Sequence, residues 1–141
     1  MWNENVSNDL TVITVVAAAL VDDQARVFVQ QRPPEKNMGG LWEFPGGKVE
    51  PGETPEAALI RELREELLID TDVACLAPAT FSTGMIGART LLLLLYVCRK
   101  WRGIVTPQEA PQAKWVATRE MFSLDMPPAD RPLVAILDAL L

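Results

Sequence analysis

GKVEPGETPEAALIRELREELLI, residues 47–69, divides into a loop and a helix on its punctuation alone. Pro51 and Gly52 mark the loop. Thr54 suits an N-cap, with Pro55 at the first helical position. From Pro55 to about Leu67 the pattern is helical, with Leu59, Leu63 and Leu67 along one stripe. At about 100° per residue, Glu62, Glu65 and Glu66 fall within an arc of roughly 100° beside that stripe. Glu62 and Glu66 are an i,i+4 pair of like charges, which repel by a few tenths of a kcal/mol even when exposed. Arg61 and Arg64 lie mostly round the other side of the helical wheel and relieve only part of this. Two readings follow: a solvated charged face, or ligands for a hard divalent cation such as Mg²⁺, which prefers carboxylate oxygens and bridges to phosphates. The helix by itself fits either.

Upstream, Leu10 to Val21 is an apolar run too short for a membrane span. Thr11 to Val21, rich in Val, Ile and Ala, reads as a central buried strand. Asp22 and Asp23 mark a turn before a second strand, Arg26 to Gln31, so the pair reads as a hairpin. Arg32 to Leu41 is a loop on its Pro and Gly content. Downstream, Val73 to Phe81, Arg89 to Lys100 and Lys114 to Ala117 read as further strands. Pro128 to Leu141 ends in an amphipathic helix with Leu133, Ile136, Leu137 and Leu140 at helical spacing. This order predicts an α/β (α+β) fold, a mixed β-sheet sandwiched between helices, as a single domain over residues 1–141.

Composition narrows the chemistry. The chain has 141 residues, of which 49% are hydrophobic and 23% charged. That excludes a disordered tail or a disulfide-stapled miniprotein. A net charge of −6 is a poor match for duplex DNA, whose affinity comes from neutralised phosphates. Any polyanionic ligand should be small and arrive with its own cation. There are no histidines, so His-containing triads, His-ligated zinc and an imidazole base are all excluded. Cys75 and Cys98 lack CxxC spacing, and two buried thiols in a reducing compartment is the expected state. Met1 to Asp9 is polar and acidic, without the basic start of a signal peptide. The expectation is a cytoplasmic protein with no membrane or nucleic-acid partner.

The 47–69 stretch closely resembles the Nudix box: a glycine, five residues, Glu, seven residues, then Arg-Glu-apolar-x-Glu-Glu-x-Gly-apolar. Every fixed position matches except the late glycine, which is Leu68. A residue with a Cβ is disfavoured in the left-handed conformation such a glycine takes, by about 1–2 kcal/mol. Leu68 is therefore expected to alter the helix exit, extending it or tightening its last turn. It supplies no ligand, so the metal site should survive. The resemblance implies a Mg²⁺ site (Mn²⁺ a possible substitute) made by Glu62, Glu65, Glu66 and the Gly46 carbonyl. It also implies that Arg61 orients a carboxylate, most plausibly Glu53. Metal ions and glutamates together can activate water without histidine.

Outside the box the resemblance continues to the MutT-like branch, which hydrolyses nucleoside triphosphates to monophosphate and pyrophosphate. Gln31-Arg32-Pro33, Gly40 to Lys48 (GLWEFPGGK), Trp101-Arg102-Gly103, Gln108-Glu109 and Lys114-Trp115-Val116 all follow the branch pattern. It implies phosphate contacts at Arg32 and Lys48, substrate contacts at Glu43 and Phe44, and an extra metal ligand or base at Glu109. Near the end, Pro127 to Leu133 (PPADRPL) begins a helix. Asp130 is either an N-cap or, as the resemblance implies, the reader of the base edge. Phe44 and apolar residues near Phe81 would wall the base pocket. The substrate expected is 8-oxo-dGTP, with nucleotide-pool sanitation as the role and a monomer or weak dimer as the assembly. The alternatives are a pyrophosphohydrolase for CTP, dCTP or modified pyrimidines, and a non-catalytic binding module. The latter should show substitutions among Glu53, Glu62, Glu65 and Glu66, and none is present.

Overall fold

A computed structural model describes residues 11–141; the polar Met1 to Asp9 stretch and the start of the apolar run at Leu10 lie outside them. The first strand, β1 (Val12–Leu20), shows why that run is apolar at nearly every position. Side chains alternate across a strand. Val16, Ala18 and Leu20 join one core cluster, and Ala17, Ala19 and Val21 join the other. A strand covered on both faces has no polar side. Helix α1 (Pro55–Leu67) covers the first face through Ala58, Leu59, Leu63 and Leu67, all buried. Helix α3 (Arg131–Leu140) covers the second through Leu133, Val134 and Leu137.

The strands form two sheets, not one. The four-stranded sheet runs β4 (Gly46–Lys48), β1, β6 (Arg89–Cys98), β5 (Leu76–Ile86), with β1 parallel to β6 and the other pairs antiparallel. The three-stranded sheet runs β3 (Trp42–Glu43), β2 (Val27–Gln31), β7 (Ala113–Val116), all antiparallel. The expected β1–β2 hairpin is therefore corrected. The two strands meet only at a bridge between Val21 and Val27, beside the turn that Asp22 closes by bonding the Arg26 amide at 2.8 Å. Beyond it they part, β1 into one sheet and β2 into the other. The Val73 start of the next strand is also corrected. Val73–Cys75 is a turn of 3₁₀ helix, closed by the Cys75 amide on the Asp72 carbonyl, and β5 begins at Leu76. That turn leaves Cys75 only half-buried, while Cys98 is buried; both are free thiols. A short helix, α2 (Thr118–Met121), has no counterpart in the sequence reading. No helix among the described residues is long and apolar enough to cross a membrane.

Helix α1 spans the residues its punctuation indicates, and Thr54 Oγ1 accepts the Ala57 amide at 3.1 Å. Its exit does not follow the sequence expectation. Leu68 itself takes the left-handed conformation, φ 59° and ψ 31°, so the helix ends as a glycine would end it. The Leu68 amide bonds the Arg64 carbonyl, and the Ile69 amide reaches the Leu63 carbonyl. The last turn keeps its pitch because its carbonyls are also taken from outside. The Thr106 amide bonds Leu67 O at 2.8 Å, and the Gln108 amide bonds Glu66 O at 3.0 Å. The Leu68 side chain is exposed and packs little. Leu68→Gly should therefore raise stability by about 1 kcal/mol, strain relief exceeding the unfolded-state entropy of glycine. Urea unfolding reads the shift; a loss of stability would mean the leucine side chain is holding the exit.

Candidate active site

Glu62 and Glu66 of α1 face the short strand β4, and Glu65 stands more exposed beside Arg61. Gly47 lies so close to the helix that a Cβ there would run into the Glu62 carboxylate, and a Cβ on Gly46 would overlap the Val16 carbonyl. The glycines thus let β4 pass between β1 and the helix. The Gly46 amide donates to Glu66 Oε2 at 3.3 Å, and Gln30 Nε2 donates to the same oxygen at 3.2 Å. Burial, then the charges of Glu62 and Glu43, push the Glu66 carboxyl up to about 8. Burial also raises Glu62, against the pull of Arg61.

Arg61 is where the helical wheel misleads. A wheel places Cβ atoms, and the guanidinium reaches well beyond its own. Its Nε and Nη2 grip Glu53 at 2.8 and 2.9 Å, a bidentate pair. Nη1 donates to Glu62 at 2.9 Å and lies 3.5 Å from Glu65, while Nη2 also donates to the Lys48 carbonyl. Arg61 therefore sits within the carboxylate group, not round the far side of the helix. Its hydrogen bonds bring Glu53 down to about 2. Arg64 turns away and pairs with Asp70 at 2.8 Å.

Among the described residues, no group of three or more ligating side chains is already gathered round one point. Arg61 draws Glu62 and Glu65 to itself, and Glu66 faces Gly46 and Gln30. The donor chemistry nonetheless fits a hard dication. Half-buried carboxylates whose charged forms are disfavoured by burial and by one another are what such a cation stabilises.

The carboxylates open onto a cleft of about 750 Å³. Arg32, Lys36, Glu43, Phe44 and Lys48 line it, together with Gly84–Gly87, Gln108–Ala110 and Pro127–Asp130. Arg32 is held by Glu43 at 2.9 Å and by the Asn37 carbonyl at 2.8 Å. Glu109 stands exposed at the rim, paired across the cleft mouth with Lys36 at 3.2 Å. Phe44 is buried at the wall. Phe81 is 64% exposed and lies outside the lining; Gly84, Met85 and Ile86 of the same strand supply that wall instead.

Asp130 stands at the N-cap position of α3 but does not cap with its side chain. Its backbone is helical, φ −79° and ψ −30°, and its side chain makes no capping bond. The residue is buried at the cleft, where desolvation and then Glu43 raise its carboxyl to about 7, against the Phe44 amide and Arg32. Gln30 carries no sequence signal of its own: β2 ends in two glutamines, and it is the fold that buries the first of them. Lys36 and Ser82 carried no sequence signal.

The NUDIX domain model matches residues 11–137. The chain is 34% identical over 125 residues to the CTP pyrophosphohydrolase of Escherichia coli, covering 89% of this chain and 91% of that one. It is 38% identical over 95 residues to the 8-oxo-dGTP diphosphatase of Proteus vulgaris, covering 67% and 83%. Among solved structures, a MutT protein from work on Aliivibrio salmonicida and Vibrio cholerae superposes with a TM-score of 0.77 at 30% identity, covering 93% of this chain and all of that one.

Proposed function

This chain belongs to the NUDIX family and is a MutT-like hydrolase acting on nucleoside triphosphates; from that premise we propose that it releases pyrophosphate and a monophosphate, with 8-oxo-dGTP as its preferred substrate. The observation that carries the preference for a guanine edge over a cytosine edge is the buried Asp130 carboxyl on the cleft wall beside Phe44 and Glu43; the choice of the oxidised base rests on the named relatives. A carboxylate accepts hydrogen bonds only. The guanine edge offers N1–H and an exocyclic amino group together. Diphosphatases named for 8-oxo-dGTP among the relatives support this reading.

We assign the metal ligands as Glu62, Glu65, Glu66 and the Gly46 carbonyl, with Mg²⁺ the expected ion and Mn²⁺ a substitute. When bound, such a cation supplies charge neutralisation at the phosphoryl oxygens and a more acidic water. Arg61 keeps Glu53 ionised and fixed and holds Glu62 and Glu65 in reach of β4. A carboxyl as acidic as Glu53 is a poor proton acceptor. That task falls to Glu109, whose loop is tied to the end of α1. Lys48 and Arg32 face the triphosphate, and Phe44 backs the base.

A pyrophosphate-release assay across 8-oxo-dGTP, dGTP, CTP, dCTP and 5-methyl-dCTP tests this. A kcat/KM for 8-oxo-dGTP about a hundredfold above that for dGTP is expected. Preference for the cytosine nucleotides would establish the second reading, which the CTP pyrophosphohydrolase relative favours. Turnover of none of them would refute both.

Asp130 gives a sharper test through pH. Burial raises its carboxyl to about 7. Below that pH it is neutral and both donates and accepts, which suits the N3 and amino group of cytosine. Above it the carboxylate only accepts, which suits guanine. The ratio of kcat/KM for 8-oxo-dGTP over CTP should therefore rise as pH increases through about 7. Asp130→Asn, a permanent donor and acceptor, should lower the ratio about tenfold at pH 8 and flatten its pH dependence. A ratio that ignores both pH and this substitution would remove Asp130 from base recognition.

A further inference from the structure

The loop that presents Asp130 is fastened to the sheet at one peptide. Ser82, on the edge strand β5, sits opposite Leu93 of β6, and its side chain enters the core side that α3 covers. There its buried hydroxyl donates to the Ala129 carbonyl. The other side of the same peptide, the Asp130 amide, bonds the Pro127 carbonyl at 3.0 Å. The Ala129–Asp130 peptide plane is thus held at both its oxygen and its nitrogen. Gly84, two residues along β5, faces the same loop: a Cβ placed there would stand in ordinary contact with the Ala129 methyl, at 3.5 Å. The direction in which the Asp130 side chain leaves the backbone is set by that plane.

We propose that Ser82 is a positioning residue for base discrimination: through the Ala129 carbonyl it aims Asp130 at the base edge. The inference rests on the reading of Asp130 given above. A hydroxyl that merely satisfied a buried carbonyl would affect stability alone. One that aims a recognition group changes which nucleotide is preferred, because recognition hydrogen bonds fail at small angular errors. The Ser82 hydroxyl bonds the Ala129 carbonyl, and Ser82 is not among the residues that line the cleft, so its loss should spare the chemical step.

The experiment is steady-state kinetics of the full chain on 8-oxo-dGTP and CTP, for Ser82→Ala, Ser82→Thr, Asp130→Asn and the Ser82→Ala/Asp130→Asn double variant. Ser82→Ala is expected to reduce the discrimination ratio about tenfold through KM, with kcat changed less than about twofold. Ser82→Thr, which keeps the hydroxyl, should retain the ratio. The double variant should discriminate no worse than Asp130→Asn alone. If Ser82→Ala fails to fold, Ser82→Cys, a weaker donor, should show a smaller drop of the same kind. An unchanged ratio in Ser82→Ala or Ser82→Cys, or an equal loss of kcat/KM on both nucleotides, would overturn the inference while Asp130→Asn still shifts the ratio. If Asp130→Asn leaves the ratio unmoved, the reading of Asp130 falls, and that of Ser82 with it.

Discussion

Glu66→Gln is expected to cut turnover by about 10²–10⁴-fold while making the folded protein more stable. The two effects have one cause. Glu66 is pushed up to about 8 because its charge is desolvated and faces Glu62 and Glu43. Glutamine has the same shape, and its amide oxygen can still accept from the Gly46 amide and Gln30. Its NH₂ group can donate to Glu62, the bond that the carboxyl makes only when protonated. At neutral pH the unfolded chain carries this carboxyl ionised, and folding must protonate a group raised to about 8; glutamine removes that cost and should stabilise the fold by about 1–3 kcal/mol in chelator. The same substitution removes a negative oxygen that a hard cation needs. Pyrophosphate release and urea unfolding on one preparation read both. Turnover at the level of the parent would remove Glu66 from the chemistry, and a destabilised variant would mean the carboxylate was already well paired.

The second large effect separates two adjacent glycines. At Gly46 a Cβ would meet the Val16 carbonyl and the Ala17 Cα, backbone atoms of the central strand that cannot step aside. Gly46→Ala should cost on the order of 4 kcal/mol or more, enough to leave little folded protein at 37 °C. At Gly47 the atoms nearest an added Cβ are the carboxylate end of the Glu62 side chain, which can rotate away. Gly47→Ala should therefore fold with a loss of only about 1 kcal/mol, while displacement of Glu62 lowers kcat about 10²-fold. Thermal unfolding beside activity decides it. A stable Gly46→Ala, or a fully active Gly47→Ala, would mean β4 lies further from its neighbours than described.

What the sequence discloses depends on how local the cause is. Helix α1 is legible from Thr54 to Leu67 because its cap, its first-turn proline and its leucine stripe all act within a few residues. Turn chemistry at Asp22 marks a reversal but says nothing about whether the strands stay paired afterwards. That is decided by β6, more than sixty residues away, which claims β1 along its whole length. Strands as short as β3 and β4 present no period to read. At the site, residue types and spacing point to the carboxylates. The placement of Arg61 and the burial of Asp130 depend on reach and on tertiary neighbours. Leu68 shows the converse: a residue that disfavours a backbone conformation adopts it when the surrounding hydrogen bonds over-determine it.

Those hydrogen bonds at the end of α1 also brace one side of the cleft. Thr106 and Gln108 are laced to the last carbonyls of the helix that carries Glu62, Glu65 and Glu66, so Glu109 rides on the same rigid body as those carboxylates. The facing segment, Arg32 to Leu41, closes on itself through Arg32–Leu41 and Gly40–Arg32 backbone bonds and meets this body through an exposed lysine–glutamate pair. The two sides of the cleft mouth are thus built differently: backbone hydrogen bonds brace the acidic side against α1, and an exposed ion pair is what joins the Lys36 side to Glu109.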